Sequence, residues 1–168
     1  AVGAPAFVVG HSLGAEVAIH LAARHSTCVR GLVLVSAAGV PRGLSPGDLL
    51  RTATRFGRPR AWGEPRFLPT IAADAVRAGP WTLLAVTRQI LSDDVRPLLS
   101  RITCPTLLVW GEDDPLTPLR DGRVMEAALP AARLVVVPGA AHNVMADRPA
   151  LFNRIVLDFL DEHADRDA

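Results

Sequence analysis

Residues Phe7 to Ala15 read "FVVGHSLGA": a short aromatic and β-branched run stops at Gly10, and Ser12 then stands between two glycines. The run suits a buried strand. The residues after Gly14, "AEVAIHLAARH", return apolar positions at helical spacing, with Val17 and Leu21 one turn apart beside Ala18 and Ala22. A strand, a tight turn and a helix are therefore predicted, with a hydroxyl at the turn. A serine oxygen is a poor nucleophile until a base takes its proton and donors stabilise the oxyanion that forms. Gly10-His11-Ser12-Leu13-Gly14 has the form G-x-S-x-G, in which the serine sits on a sharp strand-to-helix turn and projects above the sheet. The flanking glycines are expected to let strand and helix approach without a Cβ clash. The amide of Leu13, at the N-terminus of the helix, is the candidate oxyanion donor.

Three further apolar runs repeat the strand pattern: "GLVLVSAAG" (Gly31–Gly39), "PTLLVWG" (Pro105–Gly111) and "RLVVVPG" (Arg133–Gly139). Each is continuous rather than alternating, as expected of strands buried on both faces of a parallel sheet. Between the last two, "RDGRVMEAALP" reads as a helix ended by Pro130, and the tail places Leu151, Ile155, Phe159 and Leu160 on one face of a closing helix. Strands alternating with helices predict an α/β fold with a mainly parallel sheet of about four strands.

The loops after the last two runs carry the chemistry that a serine needs. After Gly111 comes "EDDPLTP", an acidic cluster closed by prolines; after Gly139 comes "AAHNVMADRP", with His142 ahead of the final helix. The order Ser, Asp, His, with each residue just past the C-terminal end of a strand, gathers a nucleophile, an acid and a base on one edge of the sheet.

With these residues in view, the sequence resembles the α/β-hydrolase superfamily, specifically serine esterase-like members with a GHSxG elbow, from Phe7 to about His163. The resemblance implies Ser12 as nucleophile, His142 as general base, and Asp114, the third residue after Gly111, as the acid that orients the imidazole. Asp113 is the rival acid, its other role being to cap the loop, and Glu112 reads as solvated. His11 and Trp81 are candidates for lining the substrate pocket. His20, His25 and His163 read as surface or helix-end residues. Where many relatives have glycine after the elbow and before the histidine, this chain has Ala15 and Ala141, both small.

Residues 40–99 interrupt the alternation. They hold prolines at 41, 46, 59, 65, 69, 80 and 97, arginines at 51, 55, 58, 60 and 66, and helical patches such as "WTLLAVTRQIL". This stretch is read as a helical cap between two parts of the hydrolase core, residues 1–39 and 100–168, with Trp62 and Trp81 either lining a pocket or filling the cap. The family's sheet normally holds more strands ahead of the elbow, and a His-Gly loop there supplies a second oxyanion donor. Removing one such donor typically costs about 100- to 1,000-fold in turnover. Because only "AVGAPA" precedes the elbow strand and the first residue is not Met, the chain is expected to be the C-terminal half of a longer hydrolase or a truncated gene product.

Composition narrows the partners. Of the 168 residues 49% are hydrophobic and 21% charged, which suits a globular protein, and a net charge of +1 offers a polyanion little. Acidic residues intersperse the cap arginines, so nucleic acid is not expected. No apolar run has the length of a bilayer span, and a cytoplasmic location is expected. Cys28 and Cys104 lack the paired spacing of a zinc site and read as small core residues. Neither a metal nor a cofactor is implied, and oligomeric state is left open. The expected substrate is a small or medium carboxylic ester. Carbon–carbon bond hydrolysis on the same triad is the alternative, and a non-catalytic fragment the third reading.

Overall fold

The computed structural model describes residues 5–41, 47, 50, 54, 61 and 63–164. Strands β1 (Ala6–His11), β2 (Val29–Val35), β3 (Thr106–Gly111) and β4 (Ala132–Val137) form one sheet in the order β1-β2-β3-β4. All three pairings are parallel, with His11 opposite Val35, Val35 opposite Val109, and Gly111 opposite Val137. The strand ends that precede Ser12, Asp114 and His142 therefore share one edge. This is the parallel four-stranded sheet that the apolar runs predicted.

Helix α1 (Leu13–Arg24) connects β1 to β2, and α4 (Leu119–Ala128) connects β3 to β4. Before β3 come α2 (Leu68–Ser92) and the short α3 (Arg96–Leu99); after β4 come α5 (Val144–Asp147) and α6 (Pro149–Ala164). Side chains alternate across a strand. Leu32, Leu34, Leu108 and Trp110 accordingly face one apolar core with Ile19, Leu99 and Met125, while Val33, Val35, Leu107 and Val109 face a second with Val137, Val144 and Phe159. Both faces are covered at the central strands β2 and β3, which explains their continuous apolar runs, whereas the edge strands β1 and β4 are only partly buried and Val9 of β1 is 54% exposed.

Several expectations change. The buried stripe of α1 is Ala15, Ala18, Ile19 and Ala22, whereas Val17 and Leu21 are exposed. Small residues face the sheet because α1 leaves β1 through a tight turn and lies close over it. Cys28 is exposed and Cys104 partly buried, so neither is a full core residue. His163 closes α6 as a buried group: its Nδ1 donates to the Phe159 carbonyl at 2.8 Å and its ring lies 4.6 Å from the Phe159 ring. Leu151, at the start of α6, is 37% exposed and stands outside the face that Phe159 anchors.

Within the cap stretch, α2 bends where Gly79 takes φ +75° and Pro80 follows. Proline lacks the amide that would continue the helix, which accounts for the break. The far end of α2 is tied to α1: Gln89 Nε2 donates to Glu16 Oε1 at 2.9 Å, and His20 Nε2 lies 2.9 Å from Asp93 Oδ2. Trp62, Arg51, Arg55, Arg58 and Arg60 lie outside the described residues. No helix among the described residues is long and apolar enough to cross a membrane.

Candidate active site

Ser12 occupies the single residue between β1 and α1, with φ 53° and ψ −118°. A non-glycine residue at positive φ is strained and needs surrounding structure to hold it. Here the backbone does so. Ser12 N–H donates to Val35 O at 2.9 Å, and Ser12 O accepts from Ala15, Glu16 and Ala38 at 3.1, 3.3 and 3.1 Å. A Cβ on Gly10 would meet Ala15 Cα and Gly14 O at 2.6 Å, so the elbow needs glycine there. Gly14 is different: a Cβ there meets nothing within 4 Å, and the expectation that both glycines relieve a clash holds for Gly10 alone. Ala15 in place of the family's glycine fits, being fully buried against the strand.

The turn carries the Ser12 hydroxyl to His142, whose Nε2 lies 3.0 Å from Oγ. On the other side of the ring, Nδ1 lies 3.0 Å from Asp114 Oδ2. The structure thus brings together the three residues placed at strand ends by sequence, in one hydrogen-bonded line. The remaining oxygen of Asp114 is filled by the amides of Leu116 and Thr117 at 2.8 and 2.9 Å, and the Thr117 hydroxyl lies 2.7 Å from Oδ2. Burial pushes this carboxyl up, but hydrogen bonds from His142 and Thr117, with the attraction of the imidazole, outweigh it and hold Asp114 below the ordinary carboxylate range. Asp113 is partly exposed and its amide donates to Ala140 O at 3.0 Å, while Glu112 is exposed and accepts from Gly139 N at 3.2 Å.

Gly111 makes room for the histidine loop: a Cβ there would collide with the carbonyl of Ala141, directly ahead of His142. Further contacts secure this loop and the acid loop beside it. His11 Nε2 donates to the carbonyl of His142 at 3.0 Å, and the two rings lie 4.8 Å apart. Burial, reinforced by the neighbouring His142, holds the His11 imidazole below its ordinary value, so its neutral form is favoured. Asp147 accepts from Ala141 N with one oxygen and from Glu64 N, at the start of the segment leading into α2, with the other, both at 2.7 Å. Trp110, fully buried, donates its indole N–H to the Thr117 carbonyl at 2.6 Å. Trp81, the other pocket candidate, follows the bend in α2 and is 81% exposed.

Comparison with known proteins agrees with this architecture. The model of the alpha/beta hydrolase family matches residues 1–155. The chain belongs to that family. This α/β-hydrolase is 32% identical, over 95% of its own length, to a pimeloyl-[acyl-carrier protein] methyl ester esterase of Neisseria meningitidis serogroup B, and it spans 70% of that relative. It is also 32% identical, again over 95% of its length, to the protein of the same name from Chromobacterium violaceum, of which it spans 72%. Among solved structures, an esterase from Exiguobacterium antarcticum superposes with a TM-score of 0.76 at 19% identity, over 94% of this hydrolase and 67% of the esterase.

Proposed function

We propose that this hydrolase cleaves a small or medium carboxylic ester through an acyl-enzyme on Ser12. The observation that carries the reading is the unbroken line from Ser12 Oγ through the His142 ring to Asp114 Oδ2, with both spans at 3.0 Å. In the first step Oγ attacks the carbonyl carbon and its proton passes to His142 Nε2. Asp114, ionised although buried, stabilises the imidazolium so formed. The tetrahedral oxyanion is met by the Leu13 amide, the first of α1, whose first-turn amides lack carbonyl partners within the helix. The carbon–oxygen bond to the alkoxy group then breaks, and His142 returns its proton to the leaving alcohol. Water repeats the sequence on the acyl-enzyme, giving a carboxylic acid and free Ser12.

The Neisseria and Chromobacterium relatives support an ester over a carbon–carbon bond, since both are named for a methyl ester. Residues 40–99 serve in this reading as the cap over the acyl group, with core segments 1–39 and 100–168 supplying the chemistry. The test is a fluorophosphonate probe, which reacts with activated serines. Labelling located at Ser12, absent from Ser12→Ala, together with turnover of a nitrophenyl ester, is the expected result. Turnover of a vinylogous diketone with none of the ester shifts the assignment to carbon–carbon hydrolysis. Absence of labelling in a folded protein overturns the acyl-enzyme mechanism.

A further inference from the structure

Beyond the three residues in line, one buried hydroxyl touches the machinery from the side. Thr117 is 3% exposed, and its Oγ1 lies 2.7 Å from Asp114 Oδ2, 3.1 Å from the Ser36 carbonyl and 3.4 Å from His142 Nδ1. We propose that Thr117 is a positioning residue for the acid and the base: its hydroxyl fixes the Asp114 carboxylate edge that faces His142 and moderates the basicity of the imidazole. The inference rests on the acyl-enzyme reading for its kinetic consequences, though not for its geometry.

Three observations carry it. First, Asp114 Oδ1 is already held by two main-chain amides, so the orientation of Oδ2 depends on the hydroxyl and the imidazole alone. A span of 2.7 Å to a carboxylate is that of a charge-assisted O–H···O⁻ bond. Second, the hydroxyl cannot drift. The Trp110 indole holds the Thr117 carbonyl, and the side chain is buried. Third, the hydroxyl also reaches the Ser36 carbonyl, and Ser36 is itself a buried non-glycine residue at φ 44°. The end of β2 thus adopts a strained backbone beside the elbow, and the carbonyl it presents meets this hydroxyl.

The electrostatic consequence has a definite sign. A hydrogen bond donated to Oδ2 disperses the negative charge that would otherwise stabilise protonated His142. Removing the donor concentrates that charge and raises the basicity of the imidazole. It also frees one edge of the carboxylate, so the base is less well aligned for Ser12. Among the described residues, the ionisable groups against the His142 ring are Asp114 from the loop after β3 and His11 from β1, and a change at Thr117 acts through Asp114.

The experiment compares the wild type with Thr117→Val, which keeps the volume and removes the hydroxyl, and Thr117→Ser, which keeps the hydroxyl. With a nitrophenyl ester, Thr117→Val is expected to lose about tenfold in kcat with KM little changed, the worth of one hydrogen bond to a charged group. The acid limb of its kcat/KM profile moves to higher pH, and Thr117→Ser restores both. Titration of the His142 imidazole by NMR reads the same upward shift without any turnover. It therefore separates this inference from the acyl-enzyme reading, which fails separately if Ser12 is not labelled in the wild type. Thr117→Val with a wild-type rate and an unmoved His142 titration overturns the inference. So does a Thr117→Ser variant as impaired as Thr117→Val, which assigns the role to methyl packing.

Discussion

At His142 three kinds of restraint meet: an acid at Nδ1, a hydroxyl at Nε2, and a brace on the backbone supplied by His11. The third is the least visible in sequence. A carbonyl can only accept, so His11 must carry its proton on Nε2, and the bond fixes its tautomer. His11→Phe keeps a ring of similar size and removes the donor. The expected result in steady-state kinetics is a roughly 3- to 10-fold fall in kcat, the ordinary net worth of one hydrogen bond, with Ser12 still labelled by fluorophosphonate. An unchanged kcat would mean that the loop holds His142 without help. At this scale Ser12, Asp114 and His142 were legible because each follows an apolar run by a fixed few residues. Thr117, Asp147 and the His11 brace were not, because Thr117 meets groups 3, 25 and 81 residues away, Asp147 groups 6 and 83 away, and His11 one 131 away, with no shared pattern.

The elbow is where an element decides the site. The two glycines of G-x-S-x-G look equivalent in sequence, yet their surroundings differ. A Cβ on Gly10 would drive into the backbone of Gly14 and Ala15, whereas one on Gly14 points into open space. Gly10→Ala is therefore expected to cost about 2–3 kcal/mol, the upper range of overpacking, and to reduce labelling of Ser12 by displacing the turn. Gly14→Ala is expected to be neutral or to stabilise by up to about 1 kcal/mol, since it sits in the first turn of α1 and alanine favours a helix. Urea denaturation of the two variants measures the contrast; equal effects would contradict the steric account. The same closeness explains the alanine stripe of α1. Helical periodicity showed that this segment is a helix, but Val17 and Leu21 versus Ala18 and Ala22 offered two faces. The distance to β1 selected the smaller one.

Across the whole molecule, the sheet edge that carries Ser12, Asp114 and His142 is linked to the rest of the fold by a few polar groups. Asp147 joins the histidine loop to the segment entering α2, while Glu16 and His20 join α1 to its far end. Acid should weaken the fold around Ser12 and His142 in stages. His11 has a folded value below its ordinary 6.5, so it favours folding while neutral, and that contribution begins to fall as pH drops below about 6.5. Asp114 has a folded value below its ordinary 3.8, so its contribution is complete above that pH and is lost as pH falls further. Urea denaturation followed from pH 8 down to pH 3 is expected to show stability declining in these two steps. His11→Phe should remove the first. A decline unaffected by that substitution would assign the upper step to another group.

The amino-acid sequence by itself determined the layered architecture and the parallel sheet. Continuous apolar runs broken by glycine and proline admit few other solutions, and parallel strands put their following loops on one edge. It also determined which three loops face one another, because hydrophobic burial sets the register of β1, β2, β3 and β4. What only the tertiary structure decided is finer. It selected Ala18 over Val17 as the buried side of α1, and Gly10 over Gly14 as the required glycine. It also revealed the Thr117 hydroxyl beside the acid. These depend on contacts between atoms a few ångströms apart on separate elements. Periodicity along one chain reports which way a side chain faces, and only the packed fold reports what it meets there.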